Sequence, residues 1–153
     1  MRTRLSQASA VPVATGLPKA IPNPIRPEWF AGTHEAQLGK AVGMMQFGVN
    51  QVILDPGARS SLRHWHEGED EFVYVLSGTL VLIDENGEHA LSAGSIAGFP
   101  AGEANAHHIA NRSDALAAFL VVGTRKVGRE TIHYPDDGFL GTVVRDASGN
   151  RVP

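Results

Sequence analysis

The 153-residue chain contains no cysteine. That absence excludes disulfide staples, thiolate metal ligands, iron–sulfur clusters and a cysteine nucleophile, so any bound metal must be held by histidine nitrogen and carboxylate oxygen. No run of about 18 apolar residues exists, which excludes a transmembrane helix. Charge of one sign is also scarce. The formal net charge is -3, with no Lys/Arg cluster interleaved with aromatics, and nucleic acid is not expected as a partner. Arg2 and Arg4 precede Ala8, Ser9 and Ala10 without the apolar core of a secretion signal, so a cytoplasmic protein is expected. The length suits one domain with its own core.

What is present divides the chain. Residues 1–30 carry Pro12, Pro18, Pro22, Pro24 and Pro27, which deny a helix or central strand and imply an extended arm. Ile21, Ile25, Trp29 and Phe30 would let that arm lie over the barrel or a second subunit. Residues 35–45 read as a short helix weakened by Gly39 and Gly43. From Met45 onward the text becomes strand-like: 47–54, 63–67, 72–77, 79–83, 89–91, 95–99, 106–111 and 115–123 are apolar stretches separated by turns such as 55–57 and 84–87. Many short strands with glycine-bearing turns predict an all-β sandwich or small barrel over 31–125, with 126–153 as a C-terminal extension whose end is frayed. The run Phe72-Val73-Tyr74-Val75-Leu76 is apolar on both faces, so one face fills the barrel and the other requires a cover, which predicts a homodimer.

The chemistry gathers around histidine. His64 and His66 are two apart, and on a strand both imidazoles leave the same face while Trp65 leaves the other. Glu71 follows a short acidic loop, Glu67 to Asp70, that can fold its carboxylate back onto the two rings; Glu69 or Asp70 would substitute in a different register. His107 and His108 come from a later strand. Imidazole and carboxylate together suit one divalent ion, whether Zn, Mn, Fe, Co or Ni.

The order Pro56-Gly57, His64-x-His66, Glu71, Gly78, then Gly94, Pro100-x-Gly102, His107 and Asn111 resembles the two motifs of the cupin superfamily. The resemblance implies a double-stranded β-helix, or jelly-roll, barrel whose metal ligands fall on His64, His66, Glu71 and His107. Two departures stand out: Gly57 lies one residue further from the first histidine than in the family, and the position three after Gly102 is Asn105. His107 keeps the family spacing to Asn111 and shares a face with Ile109, so it is preferred to His108, which then points away, and Asn105 becomes a supporting group or substrate contact. Residues 47–50, 60–67, 74–76 and Tyr134-Pro135-Asp136 resemble a bacterial branch of small cupins whose members carry the label of sugar-phosphate isomerase or no label.

Three functions remain in view. The first is an isomerase, epimerase or lyase acting on a small oxygenated, sugar-like substrate through a metal-stabilised enediolate, with Glu71 or a metal-bound hydroxide as base. Arg59 and Arg63, with Arg112 and Arg125, are its candidate phosphate clamps. The second is a metal-dependent dioxygenase with an apolar pocket, and the third is a binding protein that holds a small-molecule ligand without catalysis.

Overall fold

The computed structural model describes residues 3–16, 26–125, 128–138, 140–146 and 148–153. Ile21 and Ile25, expected to anchor the arm, lie outside the described residues. The elements in chain order are β1 (Val13–Thr15), β2 (Thr33–Ala36), α1 (Leu38–Ala41), β3 (Phe47–Leu54), β4 (Trp65–His66), β5 (Glu71–Ser77), β6 (Thr79–Asp84), β7 (Gly87–Ser92), β8 (Ile96–Phe99), β9 (His108–Ala110), β10 (Ala117–Thr124), β11 (Glu130–Tyr134), β12 (Gly141–Arg145) and β13 (Arg151–Val152). The pairings between these strands are antiparallel. One six-stranded sheet runs β1-β2-β3-β10-β5-β8, a three-stranded sheet runs β7-β6-β9, and a four-stranded sheet runs β13-β12-β11-β4.

Alternation along the strands decides which face is buried. In β5, Val73 and Val75 turn inward while Phe72, Tyr74 and Leu76 remain about 40% exposed. The inward valines meet Phe119 of β10 and Leu80 and Leu82 of β6, so the main core sits between the six-stranded and three-stranded sheets. A second cluster joins Phe30, Leu62, Ile132, Tyr134, Leu140 and Val143 against Trp29. Gly78, at the β5–β6 corner, is required by contact as well as conformation. Its φ is +78°, and a Cβ there would stand 2.7 Å from that of Ala117.

Two segments depart from the sequence reading. Residues 33–36 form a strand beside β3, leaving the helix a single turn, because pairing with β3 outweighs a helical tendency already weakened by glycine. The described residues beyond 125 include three strands: β11 pairs with β4 and β12, and β13 pairs with β12 at Val144 and Arg145, where a frayed end was expected. Among the described residues no helix is long and apolar enough to cross a membrane.

Candidate metal centre

His64 and His107 are opposed across an isolated antiparallel bridge, exchanging main-chain hydrogen bonds of 3.2 and 3.0 Å. Directly opposed residues project from one face, and their rings lie 5.2 Å apart. Two residues on, His66 returns to the same face at the strand where β4 pairs with Ile132 of β11. Trp65 goes the other way and stacks on His133 at 4.2 Å. Glu71 opens β5, flanked by Phe99 of β8 and Gly123 of β10. His107, distant in sequence, therefore meets His64, His66 and Glu71 because the strand segments that carry them end in the same place.

The atoms that converge are the Nε2 atoms. His64 Nε2 stands 3.9 Å and His66 Nε2 3.7 Å from Glu71 Oε2, and His107 Nε2 stands 3.7 Å from Oε1. These spacings are too long for hydrogen bonds. Two ligand atoms each about 2.1 Å from a shared ion stand about 3.0–3.4 Å apart, so each imidazole would draw closer to Glu71 on binding a metal.

The outer nitrogens fix which tautomer is present. His64 Nδ1 donates to the Leu62 carbonyl at 2.8 Å, and His107 Nδ1 donates to that of Asn105 at 2.9 Å. Each ring then carries its lone pair on Nε2, aimed inward. His107 Nε2 is buried with no hydrogen-bond partner, a cost that a bound cation would remove. His66 Nδ1 faces a second pair of carboxylates, 3.6 Å from Glu130 Oε1 and 3.8 Å from Glu69 Oε2, and Glu130 is itself oriented by the Gly68 amide at 3.0 Å. Phe99 lies flat against His107 with centroids 3.4 Å apart and holds the ring plane.

Burial and neighbours set the charge state. Burial lowers His64, and it pushes His66 down to about 3, assisted by His64, so both rings stay neutral ligands. Burial alone would raise Glu71, but the surrounding imidazoles, His107 foremost, outweigh it and hold the carboxyl at about 2. Neutral imidazoles around an ionised carboxylate are the protonation states that metal binding needs. Among the described residues, two groups of side chains meet the spacing for a divalent ion, His64, His66 and Glu71 in one and His66, Glu69 and Glu130 in the other, with ligand atoms within 4.8 Å of one another, and His107 stands just outside the first.

The remaining candidates lie elsewhere. Asn105 turns its side chain to the β6–β7 turn, accepting from the Glu85 amide and donating to Asp84, while its carbonyl orients His107. His108 points to the opposite side of β9 and, with Arg59, lines an outer cavity of about 310 Å³. Arg59 rests on the Trp29 ring at 4.0 Å. Arg63 is tied to Asp136 at 2.7 Å and Arg112 to Glu88 at 2.6 Å. The structure thus brings the three histidines and Glu71 together and leaves Arg59 and Arg63 outside. Sequence reasoning did not find Glu130, and it named Tyr134 only as part of the Tyr134-Pro135-Asp136 segment and gave it no role beside His64, from which its ring lies 5.7 Å. Their signal is the alternation of 130–134, with Glu130, Ile132 and Tyr134 inward.

A family model for the cupin domain matches residues 50–123. The structure of a sugar phosphate isomerase from a cupin superfamily in Silicibacter pomeroyi is 45% identical over 94% of this chain and 87% of its own, with a TM-score of 0.83. A protein of Acidithiobacillus ferrooxidans named "Putative sugar phosphate isomerase" is 32% identical over 80% of this chain and 78% of its own, with a TM-score of 0.69. The polyketide cyclase RemF of Streptomyces resistomycificus shares the fold at 22% identity, covering 82% of this chain and 81% of its own with a TM-score of 0.62. Comparison with curated proteins finds no match.

Proposed function

The chain belongs to the cupin superfamily, and on that premise we propose that it is a metal-dependent isomerase, epimerase or lyase acting on a small oxygenated, sugar-like substrate. The observation that carries this reading is the convergence of three imidazole Nε2 atoms on the Glu71 carboxylate, with His64 and Glu71 still 13% and 17% exposed. Such a centre is held from behind and reachable from the front. A divalent ion on His64, His66, Glu71 and His107 would supply a Lewis acid to adjacent carbonyl and hydroxyl oxygens, and Zn, Mn, Fe, Co and Ni all suit three nitrogens and one oxygen.

The protein's own residues supply the rest. The Leu62 and Asn105 carbonyls keep the rings in their tautomers, and Phe99 restricts His107 to one plane. Glu71 presents Oε2 to His64 and His66 and Oε1 to His107; held to an ion through one oxygen, it would keep the other to take up the substrate's α-proton, with a metal-bound hydroxide as the alternative base. Its depressed proton affinity confines that step to a strongly activated carbon acid. The 45% identity to a sugar phosphate isomerase supports the substrate class.

The reading is tested by incubating metal-loaded protein with an aldose or ketose phosphate in deuterium oxide and following the α-carbon by NMR. Solvent deuterium is expected to enter that carbon, and Glu71→Gln is expected to slow the exchange by about 100-fold or more. Oxygen consumption without exchange would contradict it and favour the dioxygenase reading.

The same reading includes a homodimer. Phe72, Tyr74 and Leu76 on β5 and Ile96 on β8, 39–64% exposed, form one apolar strip on the outer face of the six-stranded sheet, which supports a second copy as its cover.

A further inference from the structure

The β11–β12 ladder sets Glu130 opposite Arg145, Ile132 opposite Val143 and Tyr134 opposite Gly141. Opposed residues share a face. Glu130, Ile132, Tyr134 and Val143 are all at most 5% exposed, which marks that face as the inner one. Arg145 therefore projects inward, next to the carboxylate that faces His66 Nδ1, and is half-buried. Gly141 adds no side chain opposite Tyr134, so this wall stays open where the phenol approaches His64.

A guanidinium on an inner wall is costly unless its charge is used. Arg63 and Arg112 use theirs in ion pairs with Asp136 and Glu88. Among the described residues Arg145 makes no ion pair. Its register partner Glu130 stands 3.6 Å from His66 Nδ1, so Arg145 leaves the same face of the sheet on the wall beside the metal centre.

Resting on the function proposed above, we infer that Arg145 is the anion-recognising residue of this site: from the inner face of β12 it takes the phosphate monoester end of a substrate whose other oxygens meet His64, His66, Glu71 and His107. Its planar fork of donors matches phosphate oxygens two at a time, which a point charge cannot do. The arrangement divides the labour of the site, with β12 selecting an anionic substrate and the histidine cluster receiving the end that reacts. The arginines nearest the motifs in sequence, Arg59 and Arg63, take no part in it: both line a separate pocket with Trp29 and Asp136, and Arg59 also lines the outer cavity.

Calorimetric titration of metal-loaded protein with a hexose 6-phosphate and with the free hexose tests the assignment, alongside inorganic phosphate on metal-free protein and the metal content of each variant. Wild type is expected to prefer the phosphorylated sugar by at least tenfold. Arg145→Gln is expected to remove that preference and the binding of inorganic phosphate while leaving metal content unchanged. Arg145→Lys is expected to keep part of both, and Arg59→Gln all of both. Should Arg145→Gln not fold, the lysine variant is the deciding one, and wild-type affinity in it would overturn the inference. An unchanged preference in Arg145→Gln, or an equal loss in Arg59→Gln, would also overturn it. Equal binding of the two sugars by a protein that loads metal would overturn the role of Arg145 and leave the metal centre standing. Failure to load metal would strike the metal centre alone, because phosphate binding to the metal-free protein still reads Arg145.

Discussion

His107 and His108 are adjacent in sequence and face opposite sides of β9, and the whole assignment of the centre turns on which is which. His107 has its Nδ1 held by the Asn105 carbonyl and its Nε2 buried toward Glu71, whereas His108 lines the outer cavity with Arg59. His107→Ala is expected to weaken metal binding by about 100-fold in a chelator competition, and Phe99→Leu, which loosens the ring, by about tenfold. His108→Ala is expected to leave it unchanged. Asn111 is fully buried, donating to the Leu54 and Ala115 carbonyls and accepting from Ser113. Asn111→Ala strands those two carbonyls and is expected to cost about 1–3 kcal/mol in chemical denaturation at unchanged metal stoichiometry.

Protonation of the same residues sets an acid limit for the metal-free protein. His66 is held far below its ordinary value of 6.5, so as pH falls through 6.5 the unfolded chain takes up a proton that the folded chain refuses. Stability from this group is complete above 6.5 and is lost progressively toward about 3. Glu71, lowered from 4.5 to about 2, adds a loss of the same sign over that lower window. Thermal unfolding of metal-free protein is therefore expected to give a level Tm above pH 6.5 and a falling one below it, and a Tm that rises on acidification through 6.5 would contradict the buried neutral imidazole.

The element on which the centre most depends is β11. It pairs with β4 at His66 and Trp65 and carries Ile132 and Tyr134 into the second apolar cluster. Deleting residues 126–153 would expose Phe30 and Leu62 and leave β4 without that partner strand. The shortened chain is expected to lose cooperative unfolding by calorimetry and to bind no metal. This element was also the one least legible in the sequence. Strands β5 and β6 announce themselves because Val73, Val75, Leu80 and Leu82 alternate with outward residues between clear turns. In β11 and β12 the inward positions include Glu130 and Arg145, so polar side chains stand where the alternation should show apolar ones. His64-x-His66 was legible because its spacing alone places both rings on one face of a strand. Glu130 and Arg145 were not, because only the pairing of strands distant in sequence brings them to His66.

For the whole molecule, the proposed homodimer rests on the outer face of the six-stranded sheet. Phe72 and Ile96, 41% and 64% exposed, belong to an apolar strip that a monomer would leave in water. Sedimentation is expected to show a dimer, converted to monomer by Phe72→Glu with Ile96→Glu at unchanged metal content.

Whether the histidine cluster holds a metal is read by elemental analysis of purified protein beside a His64→Ala/His66→Ala variant. One divalent ion per chain is expected in the wild type and none in the folded variant. A wild type that takes up no ion, even when metal is offered after stripping, would contradict it and turn the cluster into the polar pocket of a binding protein.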